Sequence, residues 1–157
     1  MKILYGVLNW QRDILTAKRS ITKIPKDKNS EVLIVTDDKS KWAKTKFIKM
    51  DAVPSVAASK NIILKHAIDN KFDYCVIMED DVIVKNNSIV QKYISMMKQF
   101  EINVAMNGYI KANTVLDNKP NPSVMARISQ SGDELYINRY PCSAFMIFKS
   151  IFILENQ

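Results

Sequence analysis

Hydrophobic residues in the first two-thirds of the chain fall into two kinds of segment. Short unbroken apolar runs predict strands that are covered on both faces, whereas segments in which apolar residues recur every three to four positions predict amphipathic helices. Strands that alternate with helices indicate a mostly parallel α/β sheet flanked by helices. The predicted strands are residues 2–8, 31–36, 47–50, 73–78 and 102–107.

The helical segments lie between these runs and have recognisable ends. The first ends before Pro25, and its inner side is predicted to carry Ile14, Leu15 and Ile21. The second is predicted to begin with Ser55 as its N-cap, because a serine side chain can accept a hydrogen bond from a free backbone N–H of the first turn. The predicted helices are a segment ending at residue 23, residues 54–70 and residues 86–100.

The pattern changes after Leu116. Residues 116–123 predict a loop, and residues 124–140 predict a small β-hairpin that turns at Ser131, Gly132 and Asp133. The apolar stretch at residues 142–154 fits a strand or a helix. We expect one domain over residues 1–157, with this smaller region at its C-terminal end.

Composition is that of an ordinary soluble globular protein, with 157 residues, 47% hydrophobic and 25% charged. No apolar run approaches the roughly 18–20 residues that span a bilayer, and the N-terminal residues become polar too early for a signal peptide. Cys75 and Cys142 lie in apolar surroundings without a CxxC pair. Both are predicted to be buried thiols in a reducing compartment, so we expect a cytoplasmic protein.

The net charge of +7 comes mostly from lysines spread along the chain. Dispersed lysines are more typical of solvated faces than of a nucleic-acid surface, so we expect no nucleic-acid partner. The same charge is compatible with an anionic small molecule and with peripheral membrane association. The only glycines, Gly6, Gly108 and Gly132, are too few for a Walker-type loop or a GxGxxG fingerprint. Phosphate recognition would depend on a metal ion or on basic side chains.

Polar residues follow three of the predicted strands at the point where each strand ends. Because ligands in open α/β sheets bind at the carboxyl ends of the strands, these residues are candidates for one shared site. They are Asn9 after the first strand, Asp37 and Asp38 after the second, and Glu79, Asp80 and Asp81 after the third.

Three adjacent carboxylates next to a core strand repel one another and require a cation. Oxygen ligands favour Mg²⁺ or Mn²⁺, and the lack of a His/Cys set argues against Zn²⁺. A plain charged turn is the alternative, and the apolar residues on both sides of the acids favour the metal site. We therefore predict Mn²⁺ or Mg²⁺ at this strand end.

Three motifs in order carry a family resemblance: "VTDDKS" at residues 35–40, "SVAASKNIILKHA" at residues 55–67 and "YCVIMEDDV" at residues 74–82. Together with a first strand that ends in Asn9, they resemble the GT-A nucleotide-diphospho-sugar glycosyltransferases, especially the family-2-like group. The resemblance covers residues 3–84 well. It implies a GT-A, Rossmann-like fold, with residues 1–108 as the donor-binding half and residues 109–157 as a partial acceptor region.

The resemblance also implies roles for single residues. Asp38 would accept a hydrogen bond from the base, typically uracil, and Lys60 would face the diphosphate. Asp80 would lie near the ribose and sugar and serve as a second metal ligand, while Asp81 would coordinate the metal that bridges both phosphates. The full donor-binding set implied is Gly6, Val7, Leu8, Asn9, Asp38, Lys60, Asn61, Glu79 and Asp80.

The chain departs from the family in two places. The family's "DDGS" is "DDKS" here, and the segment that would carry the general base is short. An inverting transferase needs a base for the acceptor hydroxyl. Asp133, Glu134 and Glu155 are weak candidates, so the catalytic residue stays unassigned.

Three functions remain open from the sequence. The leading one is metal-dependent transfer of a sugar from a UDP-sugar or a related donor to a glycan, lipid-linked or protein acceptor. The second is a non-catalytic nucleotide-sugar-binding domain, because the expected base is missing. The third is a metal-dependent nuclease or nucleotidyltransferase, suggested by carboxylates together with basic charge. The sugar and the oligomeric state are not predicted.

Overall fold

A computed structural model describes residues 1–10, 14–24, 28–80, 82, 88–106, 125–130, 133–138 and 145–150. Eight strands and three α-helices lie in these ranges, and Cys142 lies outside them. The strands are β1 Ile3–Asn9, β2 Ser30–Thr36, β3 Ile48–Asp51, β4 Tyr74–Glu79, β5 Val104–Met106, β6 Met125–Gln130, β7 Asp133–Asn138 and β8 Phe145–Lys149. The helices are α1 Ile14–Ile21, α2 Val56–Asp69 and α3 Ser88–Gln99, and a short 3₁₀ helix spans Lys39–Trp42.

A six-stranded sheet organises the molecule, with strand order β3-β2-β1-β4-β8-β5. β1 pairs in parallel with β2 and β4, and β2 pairs in parallel with β3. β8 runs antiparallel between β4 and β5. Residues 145–149 of the apolar stretch that fits a strand or a helix therefore form a strand inside the sheet. The predicted hairpin is confirmed as the separate β6–β7 pair. This mostly parallel α/β sheet confirms the predicted fold class.

Two hydrophobic clusters cover the two faces of the sheet. Alternate residues of β1 and β4 pack with α1 and α3 on one face, and the intervening residues pack with α2 on the other. Val7 and Met78 belong to the first cluster, whereas Leu8 and Ile77 belong to the second. Apolar residues on both sides explain the unbroken hydrophobic runs.

The prediction of which residues form the inner side of α1 is partly wrong. Leu15 is 69% exposed, whereas Ala17 and Ile21 are buried and Ile14 packs against the core. Positions 14, 17 and 21 follow the spacing of one helix face, and position 15 lies about 100° away from position 14. α1 also ends at Ile21, two residues before the predicted end.

Gly6 allows α2 to pack closely on β1. A Cβ atom at position 6 would lie 2.1 Å from Cγ2 of Ile63 on α2. α2 begins where the sequence predicts, because the side chain of Ser55 accepts a hydrogen bond from the backbone N–H of Ala58. The helix that carries Lys60 and Asn61 is therefore fixed at its start and along its inner face.

Two further predictions concern the core and the membrane. Cys75 is a buried free thiol, as expected, and burial raises its pKa. Within the described ranges, no helix is both long and apolar enough to cross a bilayer.

Candidate functional site at the carboxyl edge of the sheet

β1, β2 and β4 end at the same edge of the sheet. Asn9, the last residue of β1, lies opposite Thr36, the last residue of β2. Leu8 lies opposite Glu79, the last residue of β4, and Asp80 follows directly. The parallel pairing therefore brings these polar strand ends together.

Asn9 is the centre of a buried hydrogen-bond network at this edge. Its Nδ2 donates to Oδ2 of Asp80 at 2.9 Å. Its Oδ1 accepts from Nε1 of Trp42 at 3.1 Å and from Oγ1 of Thr36 at 3.3 Å. Asn9, Thr36 and Trp42 are 0% exposed and Asp80 is 2% exposed. We call these four residues the Asn9 network.

The acids after β4 begin a tight turn. The backbone N–H of Val82 donates to the carbonyl of Glu79 at 3.1 Å, which closes a four-residue turn. The hydroxyl of Ser20, on α1, donates to the carbonyl of Val82. Asn9 of β1 therefore holds Asp80, and Ser20 of α1 holds Val82 at the end of the turn. Asp81 lies outside the described residues.

Asp38 caps the 3₁₀ helix that follows β2. Its Oδ1 accepts from the backbone N–H of Ser40 at 2.9 Å and from Oγ of Ser40 at 2.5 Å. The hydroxyl hydrogen bond from Ser40 is the main cause that lowers the pKa of the Asp38 carboxyl, with Lys41 adding a favourable charge. The same short helix ends in Trp42, so one element carries both Asp38 and a member of the Asn9 network.

An apolar pocket of about 330 Å³ opens at the same edge, on the α2 side of the sheet. Leu8 and Val35 form its floor from β1 and β2, and Ser59 contributes from α2. The hydroxyl of Ser59 donates to the carbonyl of Val53 at 3.1 Å, which fixes the pocket wall. The full lining is Leu8, Trp10, Val35, Ala52, Val53, Pro54, Ser55, Val56 and Ser59.

The other residues expected in the donor site lie within β1 and on α2. Gly6 and Val7 are interior positions of β1, and Val7 is fully buried in the core. Lys60 is half-buried and Asn61 is exposed, both on α2.

The candidate catalytic acids lie apart in the chain from this cluster. Asp133 and Glu134 begin β7, where Asp133 pairs with Gln130 and Glu134 with Ser129. Glu155 lies outside the described residues.

The oxygen donors at the end of β4 suit a hard divalent cation in type. Glu79 and Asp80 supply carboxylate oxygens, and one oxygen of Asp80 is already engaged by Asn9. The ranges that the structure describes contain no group of three or more metal-binding side chains. The carboxylate chemistry of Glu79 and Asp80 fits Mg²⁺ or Mn²⁺, ions that complete their coordination shell with water and substrate oxygens.

Comparison with known proteins gives similarity at the level of structure alone. No family model and no curated protein sequence matches the chain. Its structure is similar to S. aureus TarS residues 1–349, with 14% identity, a TM-score of 0.60, and coverage of 99% of this chain and 49% of that fragment. It is equally similar to a CMP-2-keto-3-deoxy-manno-octonic acid synthetase complexed with CTP, with 12% identity, a TM-score of 0.60, and coverage of 99% and 77%.

A third similar structure is the mannosyltransferase PcManGT from Pyrobaculum calidifontis in complex with GDP-Man and Mn²⁺. Identity is 15%, the TM-score is 0.52, and the match covers 66% of this chain and 34% of that one. The fold is the one these glycosyltransferases and nucleotidyltransferases share. This chain spans about half the length of the TarS fragment.

Sequence reasoning missed Thr36 and Trp42 as parts of the site. Thr36 is only the last residue of a predicted strand, and no motif in the sequence places Trp42 at the site. One signal was available: Trp42 is the only tryptophan within the charged run 37–49. A buried residue in such a run must be held by the fold, and its indole N–H then needs an acceptor.

Proposed function

We propose that this chain binds a nucleoside-diphosphate sugar across the carboxyl edge of the sheet and transfers the sugar in a metal-dependent reaction. The observation that carries the proposal is Asp80, a buried carboxylate held by Asn9 where β1 and β4 end. Burying a carboxylate is costly unless it is hydrogen-bonded and paired with a positive charge or a metal ion. The apolar pocket opens at the same edge of the sheet, where Leu8 of its lining pairs with Glu79.

The apolar pocket is the proposed site of the nucleobase. Its volume of about 330 Å³ falls within the range of roughly 300–1,000 Å³ for small-molecule sites. Leu8 and Val35 line it with apolar side chains, and Trp10 contributes an aromatic ring. Asp38, ionised because its pKa is lowered, would accept a hydrogen bond from a base N–H. Uracil, guanine and thymine all present such a donor, and the family resemblance selects uracil, so the proposed donor is a UDP-sugar.

Asp80 and Asp81 are the proposed holders of the diphosphate through Mn²⁺ or Mg²⁺. A bound divalent ion would neutralise the negative charge that develops on the departing nucleoside diphosphate. Asn9 keeps Asp80 in one orientation without adding charge. Lys60, half-buried on α2, would add positive charge on the pocket side.

Nucleotidyl transfer is the second candidate, favoured by the structural similarity to the CTP-bound synthetase. Such an enzyme binds a triphosphate, which needs many donors from the loop after β1. Here the residues after β1 begin with Trp10, and none of residues 10–13 is a glycine. A bulky loop of this kind is less suited to wrap a triphosphate with backbone N–H groups.

A ligand screen by thermal unfolding tests the proposal. UDP, GDP, CDP, dTDP and CTP are each added with and without Mn²⁺. We expect UDP with Mn²⁺ to give the largest rise in Tm, since a ligand at 100 times its Kd adds about 2.7 kcal/mol. Asp80→Asn and Asp81→Asn should abolish the Mn²⁺-dependent part. Asp69→Asn, at the far end of α2, is the matched control.

The outcomes separate the candidates. A larger shift with CTP than with any diphosphate would replace the glycosyl proposal with nucleotidyl transfer. No Mn²⁺-dependent shift with any nucleotide would refute a donor site at this edge. Binding of UDP without slow hydrolysis of UDP-sugars would indicate a non-catalytic domain. If hydrolysis occurs, Asp133→Asn, Glu134→Gln and Glu155→Gln identify which acid, if any, serves as base.

A further inference from the structure

The Asn9 network has a fixed direction from donor to acceptor. An indole N–H can only donate a hydrogen bond, and an ionised carboxylate can only accept. Asn9 stands between Nε1 of Trp42 and Oδ2 of Asp80, at 3.1 and 2.9 Å. Its amide satisfies both neighbours in one orientation only, with Oδ1 towards Trp42 and Nδ2 towards Asp80.

A flipped amide would leave two buried conflicts. The NH₂ group would face the Trp42 N–H, and Oδ1 would face the Asp80 carboxylate. All three side chains are at least 98% buried, so water cannot relieve either conflict cheaply. Thr36 is less decisive, because its hydroxyl can donate or accept and also lies 3.4 Å from the carbonyl oxygen of Asp38.

We propose that Trp42 is a positioning residue for the acidic turn: its indole N–H sets the orientation of the Asn9 amide, which holds the Asp80 carboxylate ready for a divalent cation. Trp42 acts only through Asn9. This inference deepens the proposed function and rests on it for the identity of the ligand. The orientation itself does not depend on that function.

The hydrogen bond from Trp42 to Asn9 also links the part of the site around Asp80 to the part around Asp38. Asp38 begins the 3₁₀ helix that ends in Trp42, and Lys39 ties this helix to Asp51 of β3 at 2.7 Å. Movement of this helix when a base binds near Asp38 would pass to Asn9 through Trp42. Residues that support a metal ligand from behind alter metal affinity by about 10–100-fold when they are replaced.

The first measurement follows the orientation directly by NMR of the isotope-labelled full chain. In the parent, the side-chain amide protons of Asn9 should exchange slowly with solvent. Trp42→Phe should speed this exchange about tenfold or more and move the carboxyl carbon signal of Asp80. Without the indole N–H, no donor from residue 42 holds Oδ1 of Asn9 in place, and the amide can turn. Phe72→Leu changes another buried aromatic residue, beyond the far end of α2, and should leave both signals as in the parent.

The second measurement titrates Mn²⁺ alone, far below the unfolding temperature. Trp42→Phe should bind Mn²⁺ about tenfold more weakly, whereas Phe72→Leu should match the parent. A residue that only stabilises the fold would lower Tm and leave Mn²⁺ affinity unchanged. If Trp42→Phe does not fold, benzothienylalanine in place of Trp42 keeps the shape of the side chain and removes only its N–H. It is incorporated in a Trp10→Phe background, so that Trp42 is the one tryptophan replaced, and it is compared with that background.

The outcomes are distinct. Unchanged Asn9 exchange in the N–H-deficient variant overturns the inference, as does a Mn²⁺ affinity equal to that of the parent. If the parent itself binds no Mn²⁺, the metal part of the proposed function fails, and the NMR result alone decides whether Trp42 orients Asn9.

Discussion

Asn9 joins the ends of three elements at the carboxyl edge, because its amide bonds to Asp80, Thr36 and Trp42. Asn9 and Asp80 were expected there, because each follows an unbroken apolar run and parallel strands share their ends. The hydrogen bonds from Trp42 and Thr36 were not expected. They depend on how the 3₁₀ helix folds back over the end of β1, and a residue pattern carries no information on that path.

At this scale the carboxyl of Asp38 provides a direct test. Its hydrogen bond from the Ser40 hydroxyl lowers its pKa below the ordinary value of 3.8. We expect Ser40→Ala to raise the pKa of Asp38 towards that value, measured by NMR titration of the carboxyl carbon. Ser55→Ala, which caps a different helix, should leave the Asp38 titration unchanged.

The sign of the stability effect follows from the direction of the shift. Because the folded pKa is lowered, Asp38 stabilises the fold above pH 3.8, and this contribution is lost as the pH falls through the folded pKa. Asp38→Asn should therefore flatten the fall in stability between pH 4 and pH 2. A steeper fall in the variant would contradict this assignment.

Elements were predicted best where their signals are local. The N-cap of α2 at Ser55 was predicted because the capping hydrogen bond joins residues three positions apart. The inner face of α1 was predicted incorrectly at Leu15, since eight residues give a weak periodic signal. The close packing of α2 on β1 at Gly6 was not predicted, because it depends on which helix crosses which strand.

The contact between Gly6 and Ile63 predicts strong coupling between two substitutions. Gly6→Ala would place a methyl group 2.1 Å from the Ile63 side chain, at a cost of about 1–3 kcal/mol for overpacking. Ile63→Ala should cost about 2–5 kcal/mol through a cavity. The added methyl group should partly fill that cavity, so the double variant should be more stable than the sum predicts.

Urea unfolding of the four proteins measures this coupling. An additive result would mean that α2 shifts to accommodate the methyl group. The control pair is Gly6 with Ala105 of β5, which lies three strands away from β1 in the sheet, so Ala105→Gly should add to Gly6→Ala without coupling.

At the scale of the whole molecule, the sheet is completed by the last described strand. β8 lies between β4 and β5, and Ile147 is fully buried in the core. The sequence did not reveal this position, since pairing between residues 76 and 147 is set by the entire fold. The alternation of strands and helices predicted the parallel part of the sheet and said nothing about an inserted antiparallel strand.

This topology predicts the effect of proline at two isoleucines. Ile147→Pro should lower the free energy of unfolding by about 3 kcal/mol or more, because it breaks pairing in a strand bonded on both sides. Ile128→Pro lies in the separate two-stranded hairpin and should cost less. Equal losses by urea unfolding would contradict a central role for β8.

The late position of β8 also bears on how the protein is made. While a ribosome adds residues 107–144, β4 has its neighbour β1 but lacks β8, so one side of β4 exposes free backbone groups. Unpaired strand edges of this kind favour association between nascent chains. Slow translation through this stretch would prolong the exposure, and chaperone binding to the growing chain would be most useful there.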